Sequence, residues 1–217
     1  METFLVIQNT YHQVQMALCT GNTLSETISL DKTVASKECL LALEKLLIQN
    51  SVSFTDLSYI AANQGPGPFT TLRVVISTIN GLSFSSKIPL VGVNGMQALA
   101  HEFTADHKVV LLNAFAGDVY YRIETNGTTL MGAGKAASII QLVLEKIPHH
   151  PILFLGNGIA LYQELITATF GDRAQFINPL PETASLNSIA LLAAEQWKSQ
   201  ENISYQLQPL YYKQAFI

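Results

Sequence analysis

The chain has 217 residues, of which 48% are apolar and only 13% charged, with a formal net charge of −4. That apolar content excludes a disordered chain, and the acidic balance argues against direct, strong binding of nucleic acid, which needs a basic face. So few charges also suggest that some surface is covered by another chain. Cys19 and Cys39 are the two cysteines, with no C-x-x-C spacing. They read as reduced thiols rather than a zinc ribbon or a redox pair. No basic segment precedes an apolar one at the N-terminus, so no signal peptide is expected. No run approaches the roughly 18 apolar residues that cross a bilayer. The expectation is a soluble, cytoplasmic protein without membrane contact.

Residues 4–7 form a short apolar run with strand character, and the turn-prone Gln8-Asn9-Thr10-Tyr11-His12 breaks it. Val14, Met16 and Leu18 alternate with polar residues, Gly21-Asn22 marks a turn, and residues 24–30 alternate again. Three strands joined by short turns predict an antiparallel meander. The period then changes. Cys39, Leu40, Leu43, Leu46 and Leu47 share one face of a helix over 36–50, with Ser36 as its cap. Residues 51–56 read as loop and 57–62 as a buried strand.

The most constrained stretch follows: Asn63-Gln64-Gly65-Pro66-Gly67-Pro68-Phe69-Thr70-Thr71-Leu72-Arg73. Two glycines and two prolines within four residues exclude helix or strand interior and make a tight, rigid loop. Thr70 is the expected cap of a helix over 72–84. A strand, a Gly/Pro turn and a helix start present free N–H groups in one place. That serves either an anion site or the fixing of a helix used for docking.

Residues 88–93 read as a strand, Asn94-Gly95 as a turn and 96–103 as a short helix. The polar segment 104–108 is the best domain boundary, dividing the chain into 1–103 and 104–217. Strands are predicted at 109–112 and 119–123, with a turn at 113–118 and a hairpin signal at Asn126-Gly127. A helix over 135–147, a strand at 152–155 and a helix over 159–170 follow. Residues 176–179 read as extended. A helix over 185–198 has Ile189, Leu192, Ala193 and Trp197 inside, and 207–216 reads as an extended aromatic tail. Two α/β halves of similar plan suggest an internally duplicated fold. His101 and His107 do not share a helical face, and with His149-His150 they read as exposed linker and turn residues. No G-x-S-x-G supports a serine hydrolase and no H-E-x-x-H a metallopeptidase.

Gly65-Pro66-Gly67-Pro68-Phe69-Thr70-Thr71-Leu72-Arg73, followed by Gly81-Leu82 and by Ile88-Pro89-Leu90-Val91-Gly92-Val93, resembles the TsaB family. Its usual text is G-P-G-S-F-T-G-L-R, then G-L-A, then I-P-[IV]-x-G-V. Asn113-Ala114-Phe115-Ala116-Gly117-Asp118-Val119-Tyr120 stands where the family has a D-A-R-R-G-E-V-Y-like hairpin. Gly156-Asn157-Gly158 and Pro209-Leu210-Tyr211-Tyr212-Lys213 match its later G-[DN]-G and P-x-Y-L-R-like motifs. The resemblance implies an α/β, duplicated fold like that of actin and the sugar kinases (the ASKHA, ribonuclease H-like class), with two lobes around a cleft. It also implies a non-catalytic scaffold. Such a subunit pairs through its N-terminal half with a TsaD-like enzyme that modifies adenosine 37 of tRNA with a threonylcarbamoyl group. A TsaE-like ATPase joins the assembly, the chain alone forms a homodimer, and tRNA is met only indirectly.

The departures bear on chemistry. Active members of this superfamily carry an acidic residue in the first hairpin to hold a metal with the nucleotide phosphates, and Gln8 and Asn9 stand there. Asn113 replaces the second-half aspartate and Phe115-Ala116 an arginine pair, while the helix over 36–50 lacks the H-x-x-x-H of TsaD-like enzymes. Thr71 in place of a glycine leaves less room over the loop. The expectation is therefore no catalytic residue, no cofactor and no bound metal. The expected partner interface comprises Leu40, Leu43 and Leu47 of the first helix with Pro68, Phe69, Leu72, Arg73, Ile76, Ile79 and Asn80. The competing expectation is an independent nucleotide-binding or metallopeptidase-like enzyme.

Overall fold

The computed structural model describes residues 2–212. These divide into two compact units, one of residues up to Gly95 together with Ser185–Leu210, the other spanning Met96–Ala184 with Tyr211 and Tyr212.

The first unit is built on a mixed sheet of β1 (Thr3–Asn9), β2 (Gln13–Thr20), β3 (Thr23–Leu24), β4 (Ile28–Asp31), β5 (Ile60–Asn63) and β6 (Leu90–Val93). Its path runs β6-β5-β1-β2-β3, with β4 also on β2. β1 and β2 pair antiparallel from Thr3↔Thr20 to Asn9↔Val14, while β5 and β6 are parallel to β1 and to each other. Gln8 and Asn9 are therefore strand residues, and the turn is confined to 10–12. The long antiparallel register carries the strand past the sequence break, and both amides are buried. The third predicted strand is two short ones in separate registers on β2.

Two helices cover one face of this sheet, α1 (Ala35–Gln49) and α2 (Phe69–Ser86). Leu5, Ile7, Met16, Leu18, Ile60 and Leu90 meet Leu43, Leu46, Leu72, Val75, Ile76 and Ile79 in one core. The opposite face is closed by a later segment of chain. Between Phe4 and Trp197, Tyr59 is stacked with centroid distances of 4.3 and 4.6 Å.

The second unit repeats the plan. After α3 (Gly95–His101), β7 (Lys108–Asn113), β8 (Asp118–Thr125) and β9 (Thr128–Lys135) form a meander, followed by α4 (Ala136–Lys146), β10 (Ile152–Leu155), α5 (Gly158–Phe170) and β11 (Ala174–Phe176). Its order, β11-β10-β7-β8-β9, is strand for strand that of β6-β5-β1-β2-β3. The fold is thus a duplicated α/β fold, as the two-half reading expects. Val109, Leu111, Ile123, Ile140, Val143, Phe154 and Ile159 form the second core.

Chain order and unit order part company near the C-terminus. α6 (Leu186–Ser199) and β12 (Ile203–Ser204) belong to the first unit, with β12 antiparallel to β6. The boundary falls at Gly95 rather than 103, and residues 185–210 leave the expected 104–217 lobe. The reason is burial. Ile189, Leu192, Ala193 and Trp197 lie against a sheet face that would otherwise expose Phe4 and Tyr59. The tail residues from Lys213 onward lie outside the described residues.

Candidate partner-docking surface

The site is built around the Gly/Pro loop. Gly65 has φ +99°, a backbone open to glycine at little cost. Its N–H donates to Asn63 Oδ1 (2.8 Å) and its carbonyl accepts from Gly95 N–H (2.9 Å). α2 then starts one residue after Pro68, which serves as N-cap and accepts from Leu72 N–H at 3.0 Å. Thr70 is thus inside the first turn and exposed, a correction to its expected capping role. Proline at the boundary presets φ near −60° and so takes over the start. Likewise α1 begins at Ala35 after Val34, so Ser36 caps nothing. The loop's rigidity fixes where α2 leaves it, which suits a docking element.

The structure redistributes the expected interface. Leu43, Leu72, Ile76 and Ile79 are core residues beneath the two helices and present no surface. The apolar face of α2 is used up by the sheet and by α1. Leu47 is nearly buried, Pro68 and Phe69 are half-buried, and Arg73 is exposed with its guanidinium 5.9 Å from the Phe69 ring centroid. Asn80 faces its own chain. Its Nδ2 donates to Leu207 O and its Oδ1 accepts from Leu207 N–H, both at 2.9 Å. Of the expected residues, Leu40 and Arg73 lie on the outside.

The exposed apolar surface lies one row over. Leu41 is 65% exposed, Ile48 70% and Phe84 77%. Of these, Ile48 lines a groove of about 420 Å³ together with Leu40, Leu43, Leu47, Val52, Phe54 and Leu82. Lys87 Nζ stands over the Phe84 ring, 4.7 Å from its centroid. Sequence reasoning missed Leu41, Ile48 and Phe84. The spacing of Leu41 and Ile48, seven apart and off the buried 39-43-46-47 row, is a helical repeat that signals a second apolar row.

The hairpin where a metal-holding acid is implied consists of neutral amides. Gln8 Nε2 donates to Gln15 Oε1 (3.0 Å), and Gln8 Oε1 accepts from Asn63 Nδ2 at 3.4 Å. Asn9 is buried with no partner for either polar atom. A divalent cation carrying nucleotide phosphates calls for carboxylate oxygens, so these residues do not fit one. In the second unit Asn113 Oδ1 accepts from Phe115 N–H (2.8 Å) and Asp118 pairs with Lys135 at 2.8 Å. Among the described residues no three or more His, Cys, Asp or Glu side chains gather as a metal site. His107, expected as an exposed linker residue, is buried, with Nδ1 2.9 Å from Thr125 Oγ1 and its ring 4.8 Å from that of His150. Strand β7 starts one residue later and takes its neighbour inside.

The family model described as "TsaD: tRNA N6-adenosine threonylcarbamoyltransferase" matches residues 34–214. The chain is 32% identical over 124 residues to the tRNA threonylcarbamoyladenosine biosynthesis protein TsaB of Buchnera aphidicola subsp. Schizaphis graminum, covering 55% of this chain and 58% of that protein. The chain belongs to the family that the TsaD model describes, and TsaB proteins are its similar relatives. A further TsaB, from Bacillus subtilis, is 24% identical over 89% of this chain and 88% of its own length. The matched region covers little more than half of the first relatives' length, 58%, 51% and 56%. Among solved structures, a Pseudomonas aeruginosa protein described as similar to the peptidase YeaZ superposes with TM-score 0.74 at 20% identity, covering 98% of this chain and all of that one. A ROK hexokinase from Thermus thermophilus gives TM-score 0.52 at 12% identity, over 90% of this chain and 99% of that one. These likenesses place the fold in the actin-like, sugar-kinase-like class, and no described helix is long and apolar enough to cross a membrane.

Proposed function

We propose that this chain works in tRNA threonylcarbamoyladenosine biosynthesis as a non-catalytic scaffold that docks a TsaD-like catalytic subunit. The observation that carries the reading is the exposed apolar row of Leu40, Leu41 and Ile48 on α1, of which Leu40 and Ile48 line a groove shared with Leu82 of α2. An exposed apolar patch with a half-buried aromatic floor is the signature of a protein interface. The amides at Gln8, Asn9 and Asn113 support a scaffold over a nucleotide-hydrolysing enzyme, because none can supply the anionic oxygen that a metal-nucleotide needs. In this reading the TsaE-like ATPase joins the assembled pair, the isolated chain uses the same row to form a homodimer, and tRNA contacts this subunit only indirectly, as the net charge of −4 favours.

The test is light scattering after size exclusion, with the chain alone and mixed with the TsaD-like protein of the same organism. A 1:1 complex that Ile48→Asp abolishes supports the reading, because a specific interface of about 800 Å² per partner cannot absorb an unpaired central charge. A complex indifferent to Ile48→Asp and Leu41→Asp removes the docking face. No complex with folded partners removes the scaffold role.

A further inference from the structure

The segment after β12 runs extended along the flank of α2, and side chains of α2 and of the Gly/Pro loop read its main chain. Ser83 Oγ donates to Tyr205 O at 3.2 Å. Asn80 takes both backbone groups of Leu207, as a neighbouring strand would. Gln64 Nε2 donates to Gln208 O, and the Gln64 carbonyl accepts from Leu210 N–H, each at 2.9 Å. Leu207 is the buried anchor, packed into the core that holds Leu72 and Ile76. Five hydrogen bonds and one apolar anchor thus hold residues 205–210, none of them in a regular sheet.

We propose that this flank of α2 is a peptide-reading groove, and that residues 205–210, its occupant supplied by the same chain, form a strap that sets the conformation of the Gly/Pro loop. The link is Gln64. It is bound to the strap through side chain and backbone alike, and it precedes Gly65, whose carbonyl holds Gly95. Asn80 lies eleven residues along α2 from Phe69, and the strap and Gln64 give it a hydrogen-bonded route to the loop besides the helix itself. Because coupling between two sites is reciprocal, loosening either end releases the other. The inference is independent of what docks on α1.

Residue-resolved amide hydrogen exchange on the full chain tests it. In Asn80→Ala the amides of Leu207 and Leu210 exchange about tenfold faster or more, and those of Gly65 and Gly95 accelerate with them. In Gln64→Ala the amide of Leu207 accelerates in return. Exchange at Ile76 and Ile79 stays within about twofold in both, which shows α2 intact. Acceleration at Leu207 with Gly65 and Gly95 unchanged overturns the proposal, as does an unchanged Leu207 in Gln64→Ala. If Asn80→Ala also loosens Ile76 and Ile79, Ser83→Ala decides by the same criterion, since it removes only the bond to Tyr205.

Discussion

The side-chain amide of Gln64 lies across Gly92, so that a β-carbon at position 92 would overlap its Oε1 and Cδ atoms. Glycine is needed there for space, since its φ is ordinary, and the space is what lets Gln64 reach Gln208. Gly92→Ala is expected to push Gln64 aside and to cost about 1–3 kcal/mol through the lost contacts and overpacking. Urea denaturation checks it. The double variant with Gln64→Ala should lose less than the sum of the two, because the clash is gone.

Gly156 is more demanding. Its φ is +98° and a β-carbon would run into the backbone carbonyl of Leu111, which cannot rotate away. Gly156→Ala should cost about 3 kcal/mol or more, combining strain with backbone displacement. A thermal melt should show the loss, while Gly127→Ala, at a turn with open space around it, shows only the backbone strain of φ +73°.

Asn9 is buried beside Gly67, with Nδ2 3.2 Å from where a Gly67 β-carbon would stand, and with neither polar atom satisfied. Replacing an unsatisfied amide by an apolar group of like shape removes a desolvation cost. Asn9→Leu is therefore expected to stabilise the chain by about 1 kcal/mol. Asn9→Asp should instead destabilise it at neutral pH, where the carboxylate would be charged and buried without a partner, and recover part of the loss in mild acid. Denaturation at two pH values separates these outcomes.

Glu124 sets an acid limit for the second unit. Burial alone raises its carboxyl, but hydrogen bonds and charges from Lys108 and Arg122, at 2.9 and 2.6 Å, outweigh this and hold it below the ordinary 4.5. A depressed carboxyl stabilises above its unfolded value and loses that contribution as pH falls through the folded one. Stability should thus decline below about pH 4.5, and Glu124→Gln should flatten the decline while lowering stability at neutral pH. Melting temperature followed from pH 7 to 3 is the measurement.

Two isoleucines separate fold from docking. Ile76 is core, so Ile76→Asp should cost about 4 kcal/mol or more and leave little folded protein. Ile48 is exposed, so Ile48→Asp should change the melting temperature by no more than a degree or so while abolishing the complex. Circular dichroism with the binding assay reads both.

Local chemistry was legible without coordinates wherever neighbours in the chain decide it. The doubled Gly-Pro forces a turn by itself, alternation at Val14, Met16 and Leu18 makes a strand, and the 39-43-46-47 row makes a helix with one buried side. The repeated order of strands and helices already announced two similar halves. What no reading of neighbours could supply was which apolar face meets which. Leu72, Ile76 and Ile79 look alike as core or as interface, and only the sheet beneath them decides for core. Helix α6 crosses back to the first unit because Phe4 and Tyr59 need a cover, a demand raised by residues far upstream. Asn80 finds its partner 127 residues later in Leu207. Burial and long-range pairing depend on where distant segments come to rest. Period and composition along the chain carry no record of that, whereas turn chemistry depends only on adjacent backbone angles and is written locally.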